Sequence, residues 1–227
     1  MQNLYSLAAV IAAYLLGSLS FAVIVSRALG LGDPRAYGSK NPGATNVLRS
    51  GSKLAAVLTL LLDTAKGWLP VLLVKWFGAA YGLGEATLAM VGLAAFMGHV
   101  FPVFFRFQGG KGVATALGVL LGFEWILGLA TVATWLMVAY FFRYSSLASL
   151  VAAGFAPVYY LFGDKVAWYI DKSILLAIFA MALMLAVRHG ENINRLLAGK
   201  ESKLGKGVAV DKGSTLPAGQ GPRSKGR

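Results

Sequence analysis

The chain has no cysteine and only two histidines among its 227 residues. Disulfides, thiolate metal sites and cysteine nucleophiles are thereby excluded, and a histidine-rich metal cluster has too few ligands to form. No metal held by protein groups alone is expected. Acidic residues are scarce too, nine against 21 Lys and Arg, and charged residues make up only 13% of a chain that is 57% hydrophobic. So little charge does not suit an ordinary soluble domain and places the chain in a bilayer. A formal charge of +12 would suit nucleic acid, but the cations sit in short connections and in the C-terminal stretch. No basic, aromatic-studded soluble face remains to grip a strand, so no nucleic-acid partner is expected. The first apolar run lacks a cationic segment before it and a small-x-small cleavage site after it, so it reads as a retained helix.

A spanning helix needs about 20 predominantly apolar residues to cross about 30 Å of hydrocarbon. Leu4–Ser26 and Leu54–Val74 satisfy this, the second with Asp63 and Lys66 inside it, and Ala86–Phe105 makes a third. Val113–Phe142 is interrupted only by Glu124 and would be about 45 Å long as one helix, so two shorter helices meeting near Glu124 are expected. Leu147–Gly163 follows, and Ser173–Val187, extended back toward Ala167, closes the set. The expectation is an all-α integral membrane protein with seven transmembrane helices.

Charge tests the count, because cytoplasmic loops collect Lys and Arg. With seven spans, one face carries seventeen of the 21 cations and the other only Lys75, Lys165 and Lys172. A single helix over 113–142 would divide them nine to eleven and give no orientation. Seven spans therefore put the N-terminus outside and the C-terminus in the cytoplasm, with every glycine-rich or polar connection on the cytoplasmic side. Residues 1–198 form the membrane domain on this reading, and 199–227 a basic, disordered cytoplasmic tail whose cations suit anionic lipid head groups. Gly118 and Gly122 form a small-xxx-small pair expected to serve close helix packing.

The stretch Phe107-Gln108-Gly109-Gly110-Lys111-Gly112-Val113-Ala114-Thr115 is a glycine-lysine turn between two apolar runs. Glycines let the backbone bend tightly and expose N–H groups, the following helix N-terminus adds positive potential, and Lys111 supplies a cation. Together they make a phosphate seat, and otherwise a flexible inter-helix turn with one interfacial lysine. The nucleotide P-loop is excluded, because Phe105 stands where that pattern needs Gly and Gly112 where it needs Ser or Thr. Three further polar segments share the face: Gly38 to Arg49, with Ser39, Asn41, Thr45, Asn46 and Arg49; Arg143-Tyr144-Ser145-Ser146; and Arg188-His189-Gly190-Glu191-Asn192-Ile193-Asn194-Arg195. In the last, His189 and Asn192, like Arg188, Asn192 and Arg195, are spaced to share one side of a helix. Two glycine turns and several cations thus surround a space suited to an anion. Asp63 and Lys66, at i and i+3, are expected to pair as a structural ion pair inside the bundle, since a lone charge there is costly.

Gly38-Ser39 through Thr45-Asn46-Val47-Leu48-Arg49, Gly98-His99 with Phe101-Pro102-Val103-Phe104 and Gly109-Gly110-Lys111-Gly112-Val113-Ala114-Thr115, and Arg188-His189 with Glu191-Asn192-Ile193 resemble the three signature motifs of the bacterial acyl-phosphate:glycerol-3-phosphate acyltransferases. The likeness runs from residue 4 to about residue 201. It implies transfer of a fatty acyl chain from acyl phosphate to the 1-hydroxyl of glycerol 3-phosphate at the bacterial inner membrane. The products are lysophosphatidic acid and phosphate, in the first acylation of phospholipid synthesis. No cofactor is implied; the partners are the two substrates, membrane lipid and, as a candidate, the enzyme that makes acyl phosphate. On this reading Gly109, Gly110, Lys111 and Gly112 seat one phosphate, and Ser39, Arg49, His189 and Asn192 hold the glycerol 3-phosphate. Asn41, Thr45, Asn46, His99, Ser146 and Arg195 complete the candidate catalytic or substrate-binding set, with Asp63, Lys66, Arg188 and Glu191 in support. Lys40 departs from the family, many of whose members carry glycine there.

Two other acyltransferase designs are excluded. The His-x4-Asp pattern fails at both histidines, because Phe104 and Asn194 stand where Asp is needed, and no Gly-x-Ser-x-Gly elbow occurs. Direct, substrate-assisted transfer is expected, with His189 as general base the rival. An organic-anion transporter is the competing class, but it would place its groups near the midplane and show an internal repeat, and neither is present.

Overall fold

The computed structural model describes residues 1–204, and among them there are ten α-helices and no β-strand. The remainder of the basic tail, 205–227, lies outside the described residues. The helices are α1 (Gln2–Gly17), α2 (Phe21–Ala28), α3 (Ala44–Val47), α4 (Lys53–Phe77), α5 (Glu85–Val100), α6 (Val113–Phe123), α7 (Trp125–Phe142), α8 (Ser145–Phe162), α9 (Lys172–Arg188) and α10 (Gly190–Leu197). By length and composition four helical stretches can cross a membrane, and six can if each of the bent pairs α1–α2 and α9–α10 is one span. Large apolar side chains lie exposed along the bundle, among them Leu61 and Trp76 on α4, Phe141 on α7 and Leu183 on α9. So much exposed apolar area is a lipid-facing surface.

Inside lipid, apolar burial no longer drives helices together, and close backbone packing takes over. Small residues carry it. Gly17 of α1 lies against the backbone of Ala95 on α5, and Gly118 of α6 against Thr64 of α4. Gly122 packs on Val71, also of α4. Between these crossings Phe96, Val119, Phe123, Leu127 and Ile178 fill the buried core of α5, α6, α7 and α9.

Helix breaks position the site. The first apolar run is not one straight helix: Ser18, Leu19 and Ser20 separate α1 from α2, with a bend of 44°. Ser18 Oγ donates to Tyr14 O at 2.8 Å, and the freed Leu19 carbonyl accepts from Lys66 Nζ at 2.6 Å. At Glu124 the chain is extended and parts α6 from α7, where the sequence placed two helices meeting. There Lys75 Nζ donates to Phe123 O and pairs with Glu124 Oε1 at 3.2 Å, tying the break to the far end of α4. The last expected span begins as α9 at Lys172 instead of extending toward Ala167. Asp171 Oδ1 accepts from the Ser173 and Ile174 amides at 2.7 and 3.1 Å, an N-cap that fixes the start, and residues before it fold as a turn under Tyr160. At His189 the chain bends 58° into α10, which buries Asn192 and leaves Glu191, Asn194 and Leu197 exposed. The single helical face expected across Arg188, His189, Asn192 and Arg195 is therefore divided between two helices.

Candidate active site

The glycine-lysine turn is shaped by what lies beneath it. After α5 ends, Arg106 and Phe107 both take left-handed backbone angles (φ 53 and 59), reversing the chain, and the Phe107 amide donates to Pro102 O at 2.9 Å. The Gly110 amide then donates to His99 O at 3.2 Å. That N–H points back at α5, so the turn's amides do not all face a ligand, as the glycine pattern alone suggests. A Cβ at Gly110 would overlap the His99 ring and the Pro42 carbonyl, so only glycine lets the turn lie flat between α5 and the first polar loop. Gly112, at φ 88, opens α6.

Lys111 then reaches the third polar segment. Its Nζ donates to Asn192 Oδ1. Asn192 Nδ2 donates to Glu201 Oε1 at 2.6 Å, and Ser146 Oγ donates to the same oxygen at 2.7 Å. Arg195 Nε donates to Glu201 Oε2 at 2.8 Å, and its Nη1 lies 3.6 Å from Glu191 Oε2. Arg188 Nη2 donates to Gly109 O at 3.1 Å, while its Nε is buried with no hydrogen-bond partner among the described residues. His189 is buried with Nδ1 2.8 Å from Leu185 O, so in the neutral ring Nδ1–H donates there and Nε2 is left to accept.

Burial pushes the Lys111 amine down to about 8, the Glu201 charge pulling it up and Arg195 pushing it down. Burial alone would raise the Glu201 pKa, but hydrogen bonds from Ser146, Arg195 and Asn192 outweigh it and hold the carboxyl below its ordinary value. Glu201 is therefore ionised at neutral pH and only accepts.

The first polar loop forms a separate cluster. Asn46 is buried: Oδ1 accepts from the Ser39 amide at 3.0 Å, and Nδ2 donates to Pro34 O and Tyr37 O at 2.6 and 3.2 Å. Its polar atoms organise the loop and are not presented to a ligand. Asn41 Nδ2 donates to Ser39 O at 2.9 Å, Arg49 packs beside Gly38, and Thr45 and Arg49 are exposed. Asp63 and Lys66 form their ion pair at 2.8 Å, with side chains 3% and 1% exposed, and His99 Nδ1 lies 3.6 Å from Asp63 Oδ1. His99 thus sits behind the turn, its ring against Gly110.

Glu201, at the centre of these hydrogen bonds, is a candidate site residue that the sequence did not single out. Its signal was present: it is the sole acid between Glu191 and Asp211 in an otherwise basic stretch. The stretch 199–204, assigned to the tail, in fact packs on the bundle, with the Lys200 amide on Arg195 O at 2.8 Å and the Leu204 amide on Arg143 O at 2.6 Å.

A family profile described as glycerol-3-phosphate acyltransferase matches residues 7–199. The chain is 67% identical over 214 residues to the glycerol-3-phosphate acyltransferase of Albidiferax ferrireducens, covering 94% of this chain and 96% of that one. It is 64% identical to the protein of that name from a Janthinobacterium, covering 85% and 94%. Among solved structures it resembles PlsY (YgiH), an integral membrane glycerol 3-phosphate acyltransferase, in its glycerol 3-phosphate form, with a TM-score of 0.80, 40% identity and coverage of 88% and 96%. The lysophosphatidic acid form of PlsY gives a TM-score of 0.79 at 39% identity, with the same coverage. The chain belongs to the glycerol-3-phosphate acyltransferase family.

Proposed function

We propose that this protein transfers a fatty acyl group from acyl phosphate to the 1-hydroxyl of glycerol 3-phosphate, giving lysophosphatidic acid and inorganic phosphate, the first acylation of phospholipid synthesis. The observation that carries the reading is the meeting of Lys111, Arg188 and Arg195 with Ser146 and Asn192 around one glycine turn at one end of an apolar bundle. Both substrates are phosphate esters or anhydrides, and the site offers cations and neutral hydrogen-bonding groups side by side. The acyl chain lies between lipid-facing helices, since an apolar tail has no reason to leave the bilayer.

Seven passes, with the N-terminus outside and the site at the cytoplasmic face of the bacterial inner membrane, are part of the proposal. Supporting them, α6 is short because the glycine turn dips into the bundle. Thr115 Oγ1 donates to Asp63 O at 3.0 Å, about ten residues along α4, and the far end of α6 reaches Lys75 near the close of α4. An enzyme that makes acyl phosphate is a natural neighbour at that face.

In the reaction the glycerol 1-hydroxyl oxygen attacks the acyl carbonyl carbon, the ester C–O bond forms, and the bond to phosphate breaks. The donor is already activated, and the departing phosphate takes the hydroxyl proton. Lys111 and the guanidinium groups stabilise developing negative charge, and the turn fixes the approach. His189 Nε2 is the rival base. A His189→Gln enzyme keeping more than about a tenth of wild-type kcat removes that rival, since a general base contributes 10²–10⁴-fold; a loss beyond about 10²-fold with KM unchanged restores it.

The Lys111 ammonium persists below about 8 and is lost as pH rises through that value, so affinity for the anionic acceptor should weaken there. The expected result is a KM for glycerol 3-phosphate that climbs above about pH 8, with a flat limb in Lys111→Arg, whose guanidinium does not deprotonate.

The whole reading is tested by phosphate release from a long-chain acyl phosphate in detergent or lipid mesophase. Release that requires glycerol 3-phosphate supports it. No release from well-folded protein overturns it in favour of anion transport, which flux into liposomes then measures.

A further inference from the structure

An ionised carboxylate accepts hydrogen bonds and gives none, so every group facing Glu201 must donate. Asn192 must turn Nδ2 toward it, and its Oδ1 then necessarily faces the other way, where Lys111 Nζ donates. Ser146 spends its single proton on Glu201, so that toward the site its oxygen has only lone pairs to offer. Arg195 gives up Nε and keeps its remaining N–H groups. Ser146 and Asn192 are 4% and 6% exposed, leaving little water to supply other partners.

The carboxylate is itself held in place. On one side of it the Lys200 amide donates to Arg195 O, and on the other the Leu204 amide donates to Arg143 O, with Arg143 Nη2 returning to Leu204 O at 3.2 Å. Lys203 lies over the Tyr144 ring, 5.7 Å from its centroid. Residues 200–204 thus strap the C-terminal end of α10 to the turn between α7 and α8, with Glu201 pointing into the junction.

We propose that Glu201 is a positioning residue that fixes the polarity of the site, making Ser146 and Asn192 acceptors facing the glycerol 2-hydroxyl, so that the 1-hydroxyl proton stays free for the departing phosphate, and leaving Lys111, Arg188 and Arg195 for the phosphate of glycerol 3-phosphate. The inference rests on the proposed reading of the site as one for glycerol 3-phosphate, and within that reading it places Asn192 at the hydroxyl end. A hydroxyl donates well to Oδ1 or Oγ, whereas a phosphate oxygen offers neither of them a proton.

The test is a reciprocal exchange on the full chain in detergent: wild type, Glu201→Gln, Asn192→Asp and the double variant, assayed with acyl phosphate and glycerol 3-phosphate. Each single variant should lose about 10²-fold in kcat/KM, because like ends then face each other. In the double variant the new amide at position 201 donates to the new carboxylate at position 192, whose other oxygen still faces Lys111, so at least about tenfold should return, short of wild type because the same amide nitrogen also faces Ser146 and frees its proton. Singles that fail to fold beside a double that folds and turns over give the same support. A double variant no better than the worse single overturns the proposal. So does a Glu201→Gln enzyme with lower KM for glycerol 3-phosphate and tighter inhibition by inorganic phosphate, which would make Glu201 a tethered anion competing for the phosphate seat.

Two readouts separate positioning from mere support of the fold. Wild-type enzyme should bind dihydroxyacetone phosphate, which has a carbonyl in place of the 2-hydroxyl, at least about tenfold more weakly than glycerol 3-phosphate, since acceptor would meet acceptor; equal binding overturns the proposal. Lys111 is faced by Glu201, Glu191, Arg195, Arg188 and His189, and loss of the Glu201 charge should move the alkaline limb of the pH profile below about 8; an unmoved limb counts against it. Wild-type protein that turns over neither substrate fails the proposed function itself, whereas an active wild type with a flat cycle fails this inference alone.

Discussion

Lys111→Ala should fold like the wild type and lose 10²–10³-fold in kcat, the size expected when one preorganised charge is removed from a site where negative charge develops. Three features of its surroundings make this the largest functional effect. Its ammonium is partly desolvated, so its field is less screened than that of a surface lysine. It is aimed, because Asn192 Oδ1 holds Nζ and Asn192 is held in turn by Glu201. It also stands on a turn whose Gly110 leaves no room for a Cβ, so the backbone cannot drift. Fold damage should be small, since the truncation leaves only Asn192 Oδ1 without its partner, worth about 1–3 kcal/mol. Lys111→Arg should recover part of the rate through its charge but not all of it, as a planar fork does not replace a point charge at the same reach. Phosphate release in saturating substrates, beside thermal unfolding of each variant, checks this. Lys111→Ala keeping more than about a tenth of wild-type kcat would remove the turn from the chemistry.

Much of this architecture was legible in the chain because it follows from lengths and periods. The break at Glu124 was readable, since a run of that length does not fit one crossing and the only charge in it marks the seam. The pairing of Asp63 with Lys66 was readable from helical spacing and from the cost of a lone charge in lipid. The break at Ser18–Ser20 was not. No proline interrupts Leu4–Ser26, and the group that takes the freed Leu19 carbonyl is a lysine 47 positions away. Glu201 was hidden for the same reason: a glutamate in a basic stretch resembles a solvated tail until Ser146, Asn192 and Arg195 are seen around it. Asn46 shows the converse, a residue whose type suits a substrate contact but whose polar atoms the loop itself consumes. Local pattern reveals where helices lie and which residue types gather at one end; partners brought together by tertiary contact decide which of them remain open to a ligand.

Asp63→Ala should be the most destabilising single substitution, by about 3–5 kcal/mol, because it leaves the Lys66 ammonium buried and uncompensated. Lys66 has Asp63 Oδ1 at 2.8 Å, Leu19 O at 2.6 Å and the Phe21 ring 5.6 Å from Nζ, and of these only Asp63 carries charge. The expected fall in thermal unfolding temperature is on the order of 10 °C for a chain of this size. Replacing both partners tells two roles apart. Asp63→Leu with Lys66→Met removes both charges at similar volume, and such exchanges of buried pairs are often neutral or stabilising. Thermal stability should therefore return in the double variant. Activity should not return with it, because His99 then loses the carboxylate 3.6 Å from its Nδ1 while its ring still lies against Gly110, beneath the turn that carries Lys111. Stability and activity recovering together would reduce the pair to a structural tie between α4 and the α1–α2 break. A single Asp63→Ala variant within about 1 kcal/mol of wild type would show that lysine alone can be held there, by a carbonyl and an aromatic face.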